Sequence, residues 1–320
     1  MKQLFSQFSL VVAMMFFFGC AASHTAARSE KTSFAQGISG LVQIDSSRYL
    51  AVHDALSFED GPRVSLLTVS SSAVPIIVPV TIDDWMDRDG RSSDLESLCA
   101  IPSRPNEFLM AESGRWEGRF GRLFHIRFDP ATHRAVVLGV ARLPNLCDNN
   151  PEQVGDQYEG MACLDDGSGS VVLILGERGG SARYPSGVLR WVTFDLRTHT
   201  LLSTQDGLHG IRVDAPGGWP DHRKNRDISD LFVASDGSLW ASAAWDSGDA
   251  GPFSSLVYRI GYLRQNSHVP VVVNRRLHVW RTCDGIKVEG VAAPPSALHR
   301  AVISVGSDDE NYGGVWRPLR

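Results

Sequence analysis

Five short stretches, far apart in the chain, each set one oxygen-bearing side chain ahead of a small or apolar run. They are Ile38-Ser39-Gly40-Leu41, Asp94-Leu95-Glu96-Ser97-Leu98, Tyr158-Glu159-Gly160-Met161, Asp227-Ile228-Ser229-Asp230-Leu231 and Lys287-Val288-Glu289-Gly290. Ser39, Glu96, Glu159, Ser229 and Glu289 make a donor set of oxygen alone, which is what a hard cation takes. Calcium accepts about six to eight oxygens in loose geometry, and carbonyls and water complete such a shell. Magnesium demands a tighter octahedron, and no cysteine and histidine spacing here suits zinc. The alternative is that the glutamates accept backbone N–H groups and bind no ion, since buried carboxylates are usually paired somehow.

A second set of acids follows the first at intervals of 15 to 19 residues: Asp54, Glu112, Glu177, Asp246 and Asp308, the last followed directly by Asp309 and Glu310. Arg115 and Arg178 are interleaved with them, and His53 precedes Asp54. Carboxylates and guanidinium groups around a cation are the parts of a phosphoryl-transfer site. Asp54 or Glu177 would orient an attacking water, Arg178 would neutralise developing charge, and His53 would act as a base. Turn preference alone also explains acids at such places. The chain has no Gly-x-Ser-x-Gly elbow, no His-Glu-x-x-His pair and no phosphate-cradling Gly-Lys-Ser/Thr loop.

The elements that position these residues follow from the spacing. Successive members of the first set are 57, 63, 70 and 60 residues apart, an evenness that points to internal repeats. Each of the first four repeats reads as four short β-rich runs parted by turn residues: in the first, Leu41 to Ile44, Arg48 to His53, Arg63 to Val69 and Val74 to Ile82. The fourth repeat ends in a long run from Val269 to Trp280. No helical period of useful length appears after the N-terminal segment, so the expectation is an all-β, five-bladed β-propeller, six blades being the alternative. Pro75, Pro79 and Pro270 fall in the outer strands, where a missing N–H is tolerated. The last repeat is one strand short, and Ser29 to Gln36 is expected to supply that strand and close the ring.

In a propeller the first strand of each blade lines the central channel, so the five positions form a ring at one depth. Three carboxylates there raise one another's pKa unless a cation is present. The loops leading into these strands are the longest. They carry Trp85, Arg88 and Arg91, then Cys147, then Trp219, His222, Arg223, Lys224 and Arg226, a basic cluster suited to a phosphate or carboxylate ligand.

The order Ser39, Glu96, Glu159, Ser229, Glu289 resembles that of the calcium-activated nucleotidases, or apyrases, whose five-bladed propellers hold calcium at the channel centre on inner-strand residues in the same sequence of types. The resemblance implies those five residues as calcium ligands. It covers every repeat but few residues in each, and where that family has paired acids after the second strand this chain has His53-Asp54. Phytase-like and gluconolactonase-like propellers, with six blades, also use Glu-Gly steps on inner strands, so wider kinship lies in that direction.

The N-terminal residues read as an export signal: Lys2, an apolar run from Leu10 to Phe18, then Gly19-Cys20-Ala21-Ala22-Ser23. Phe17-Phe18-Gly19-Cys20 resembles a bacterial lipobox, which makes Cys20 the acylated residue; cleavage after Ser23 is the alternative. Ala21 argues for the outer membrane, on its periplasmic side or at the cell surface. The expected organisation is a signal over residues 1–19, a tether over 20–28 and a propeller over 29–320. Cys99, Cys147, Cys163 and Cys283 allow up to two disulfides in three connectivities. A net charge of −5 gives no reason to expect nucleic acid, and the membrane is contacted only through the lipid. The expected partner is a small phosphorylated or anionic ligand bound by a monomer. The rival is a non-enzymatic propeller that binds a protein or glycan, with calcium only bracing the blades.

Overall fold

The first sheet runs in simple order, β1 (Gly40–Gln43), β2 (Arg48–Val52), β3 (Val64–Thr68) and β4 (Ile76–Pro79), all antiparallel. Its side chains show why it forms. Leu50, Val52 and Leu66 face the second blade, whereas Tyr49, Ala51 and Leu67, one residue out of phase, face the last. A strand sandwiched between neighbours is apolar on both faces, and only the outer strand β4 is exposed. Each fully buried Leu stabilises such a seam by about 1.5–3 kcal/mol. In the first hairpin the Asp45 carboxylate accepts the N–H groups of Ser47 and Arg48, both at 2.9 Å.

This computed structural model describes residues 36–55, 61–70, 74–114, 121–144, 157–180, 184–219, 221 and 224–320. The second blade comprises β5 (Thr81–Ile82), β6 (Leu95–Ala100), β7 (Glu107–Glu112), β8 (Arg122–Asp129) and β9 (Arg134–Arg142). The third has β10 (Tyr158–Asp165), β11 (Ser170–Glu177), β12 (Gly187–Asp195), β13 (Thr200–Ser203), the short helix α1 (Gln205–His209) and β14 (Ile211–Val213). The fourth has β15 (Asn225–Val233), β16 (Ser238–Trp245), β17 (Ser254–Leu263), β18 (Val271–Val273) and β19 (Val279–Asp284). The fifth has β20 (Val288–Ala292), β21 (Ile303–Ser307) and β22 (Trp316–Leu319). The five-bladed, all-β expectation holds.

The outer edge departs from it. The single strand expected from Val74 to Ile82 breaks after Pro79, which has no N–H to donate. The chain then crosses to the second blade, where β5 pairs in parallel with β9. The run from Val269 to Trp280 likewise splits, β18 covering one end of β17 and β19 the other. Blade three repeats the device: β13 and β14 share β12, with α1 between them capped by Thr204. Periodicity alone does not mark such breaks, because both halves keep a strand-like pattern.

The inner strands β1, β6, β10, β15 and β20 adjoin one another in that order, and β20 returns to β1. A buried apolar cluster fills every seam, including that between the last and first blades, where Trp316 meets Tyr49 at 5.9 Å. The Ile38 N–H donates to the Ser307 carbonyl at 2.9 Å, which ties the start of the propeller to β21. The strand expected from Ser29 to Gln36 lies, but for Gln36, outside the described residues, as do Cys20, the signal and the tether. Among the described residues no helix is long and apolar enough to cross a membrane.

Candidate functional site

Each inner strand after the first loses its regular pairing at the ring position. The register slips between Leu95 and Ser97, between Tyr158 and Gly160, between Arg226 and Asp230, and between Val288 and Gly290, so Glu96, Glu159, Ser229 and Glu289 all lie in the irregular step. Ser39 stands just ahead of β1, its N–H bonded to the Val52 carbonyl at 3.1 Å. A bulge re-aims a side chain and frees it from strand alternation. The residue after the bulge has a different task. A Cβ on Gly160 would come within 2.9 Å of the Leu231 backbone nitrogen, and one on Gly290 within 2.8 Å of the Leu41 Cβ. The Glu-Gly step therefore pairs a re-aimed acid with the closest approach of neighbouring inner strands.

All five ring side chains are buried. Among the described residues the buried Ser39 and Ser229 hydroxyls have no hydrogen-bond partner. Burial, then the charges of Glu159, Asp94, Asp54 and Glu289, hold the Glu96 carboxyl well above its ordinary range. Glu289 is also pushed well above it, by burial and then by Asp308 and Glu159, against the pull of Lys287. Asp94 is raised to about 6, chiefly by burial, with Glu159 and Asp54 adding to it. Asp308 is raised to about 7 by burial and then by Asp54. Acids from four blades thus share one electrostatic field. Yet among the described residues no three Asp, Glu, His or Cys side chains are gathered tightly enough to hold a metal ion by themselves. The donor chemistry, oxygen alone with two unpartnered buried hydroxyls, fits a hard cation whose shell hydroxyls, carbonyls and water would complete.

The second set of acids divides. Asp54 joins the field: burial and then Glu310 raise its carboxyl above the ordinary range. Glu177 instead binds Arg190, Nε to Oε1 at 2.6 Å and Nη2 to Oε2 at 3.1 Å, and Glu112 binds the buried Arg122 in the equivalent place. These are cross-strand struts between the second and third strands of a blade. Asp246 pairs with Arg226 at 2.9 Å, and Asp309 accepts the Lys287 N–H at 2.7 Å. Arg178 does reach the ring, its Nη1 lying 3.3 Å from Glu159 Oε1.

His53 is placed differently from its expected role as a base. It is buried, with Nδ1 against the Gly37 carbonyl and Nε2 2.9 Å from Ser65 Oγ, so both ring nitrogens are engaged inside blade one. Burial lowers its pKa to about 4. Trp85, expected in a ligand-binding loop, packs edge-on to Phe124 in the seam of blades one and two. Arg88 is exposed, while Arg115, Cys147, His222 and Arg223 lie outside the described residues. Of the four cysteines, Cys99 and Cys163 are bonded and tie β6 to β10; Cys283 is free and buried.

Two residues escaped the sequence reading. Lys287 opens the last ring motif with no role evident from its sequence, but its ammonium bonds to both Glu289 and Glu310. Asp230 follows the ring serine where other blades have glycine or serine, and its carboxylate accepts the N–H groups of Leu231 at 2.8 Å and Val291 at 2.7 Å. With the Leu41 N–H as a further donor, one acid ties three inner strands just beyond the ring. An aspartate at a glycine position was the available signal.

A family model described as "Phytase-like: Esterase-like activity of phytase" matches residues 34–311, nearly the full propeller. The chain belongs to the phytase-like family. Solved structures similar to this phytase-like chain are remote in sequence. A thermostable family-43 glycoside hydrolase is 11% identical, with a TM-score of 0.51 over 90% of this chain and 92% of that one. An exo-1,5-alpha-L-arabinanase from a bovine ruminal metagenomic library is 10% identical, with a TM-score of 0.47 over 91% and 95%. The periplasmic gluconolactonase of Pseudomonas aeruginosa is 12% identical, with a TM-score of 0.39 over 88% and 84%. Such likeness speaks to fold alone. No curated protein matches the sequence.

Proposed function

We propose that this phytase-like propeller is a calcium-dependent hydrolase of phosphate esters or anhydrides, acting at the channel mouth where the acid ring opens. The observation that carries the reading is the pair of unpartnered buried hydroxyls, Ser39 and Ser229, on inner strands that also carry the buried Glu96, Glu159 and Glu289. Ser39, Glu96, Glu159, Ser229 and Glu289 would hold the ion. Bound calcium would supply Lewis-acid stabilisation of charge on phosphoryl oxygens.

The chain's own groups do the rest. Asp54, half-buried and sharing the ring's electrostatic field, would orient water and take its proton as oxygen attacks phosphorus and the ester oxygen departs. Arg178 offers a guanidinium for the phosphoryl oxygens. Glu177 is reserved for Arg190 and His53 for the blade-one core, so neither is assigned a chemical step. Export with acylation at Cys20, which places a monomer on the outer membrane, is part of the same proposal and rests on the N-terminal sequence. The test is turnover of nucleotides, sugar phosphates and other phosphate esters by the mature chain, with calcium and with chelator. The expected result is calcium-dependent hydrolysis that falls at least about a hundredfold in Glu96→Ala. Absence of turnover on every phosphate ester would favour a binding role.

A further inference from the structure

Two of the three ring glutamates bring a basic partner of their own. Glu159 has Arg178, and Glu289 has Lys287, whose Nζ lies 2.9 Å from Oε1. The charges that act most on Glu96 are all acids: Glu159, Asp94, Asp54 and Glu289. Lys287 is unusually fixed. It is only 8% exposed, two residues ahead of Glu289, and its backbone is pinned on both sides by the acidic run of blade five. Its N–H donates to Asp309 Oδ1 at 2.7 Å, and its carbonyl accepts the Asp308 N–H at 2.9 Å. The same ammonium reaches Glu310 in the 3-10 turn Glu310–Tyr312 and counters the charges of Asp54, Asp246 and Asp308.

A fixed positive charge among acids does part of what a bound cation would do, and it holds an oxygen that the cation would need. We infer that Lys287 is a tethered counter-cation that shares Glu289 with calcium and thereby sets how tightly the ring holds the ion. This rests on the reading of the ring as a calcium site, and it adds a built-in competitor. An ammonium has three donors and a compact charge, so it can release Glu289 and keep Glu310 as the ion arrives. Without calcium it limits repulsion in the ring.

The experiment is calorimetric titration of calcium into chelator-stripped protein, with the shift in Tm on adding calcium as a second readout. Lys287→Met removes the charge, Lys287→Gln removes it but keeps hydrogen bonding, and Lys287→Arg keeps it. The charge-free variants are expected to bind calcium at least tenfold more tightly than the native chain and to gain more in Tm, while Lys287→Arg stays close to native. Unchanged or weaker affinity in both charge-free variants overturns the inference, as does failure of both to fold in saturating calcium, because the ion should replace the missing charge. Adding Glu96→Gln to Lys287→Met separates the two claims. If the native chain binds no calcium but Lys287→Met binds it through Glu96, the inference stands and native loading falls. If the native chain binds it and the charge-free variants bind no better, the ring stands and the inference falls.

Discussion

Single side chains carry the clearest tests. His53 has both nitrogens occupied in the core, so His53→Ala should cost about 2–4 kcal/mol of stability, read by denaturant unfolding, while calcium affinity stays native. A loss of affinity with stability intact would restore it to the mouth. Asp308 gives a pH signature of opposite sense to the usual carboxylate. Its folded pKa of about 7 lies above the unfolded value, so the folded state binds the extra proton. Chelated protein should therefore lose stability as pH rises from about 4 to about 7, on the order of 1–3 kcal/mol, and Asp308→Asn should flatten that slope. A slope unchanged in the variant would show that the field acts through other acids. The ring residues were legible in the sequence because one acid or serine recurs in one small motif. Their partners were not: whether Glu177 faces a ligand or Arg190 depends on a cross-strand register that the motif does not contain. His53 was misread for a similar reason, since a histidine just past a strand faces inward or outward according to how the chain leaves it.

Strands and their seams explain why the motif takes its form. The acid needs a bulge to leave the alternation, and the next residue must be small because the neighbouring inner strand presses on it. Gly160→Ala puts a methyl within 2.9 Å of the Leu231 nitrogen, a backbone atom with little room to move. The substitution should cost about 1–3 kcal/mol and weaken calcium binding, since it displaces Glu159. A neutral outcome in both thermal unfolding and calcium titration would mean that the inner strands have room for a methyl group at this step. The inner three strands of each blade were readable because apolar residues on both faces leave an unbroken signal. The outer edge was not, since β4 and β5 keep a strand-like pattern across the break at Pro79 while belonging to different blades.

The closed ring brings the five inner strands that carry these positions side by side. Five seams, each with its own apolar cluster, and the bond from Ile38 to Ser307 make it a circle of five, a number that the repeat spacing already implied. Removing the residues before Leu41 should therefore do more than delete a ligand. It takes Ile38 and Gly37 from the last seam, and thermal unfolding should broaden and fall by several degrees compared with a chain starting at Gln36. The most direct test of the account is the calcium content of the chelator-stripped, reloaded mature chain, measured by elemental analysis after dialysis. One ion per native chain, absent from Glu96→Gln, is the predicted result. A native chain that returns from millimolar calcium with none bound, or a Glu96→Gln chain that keeps it, contradicts the account.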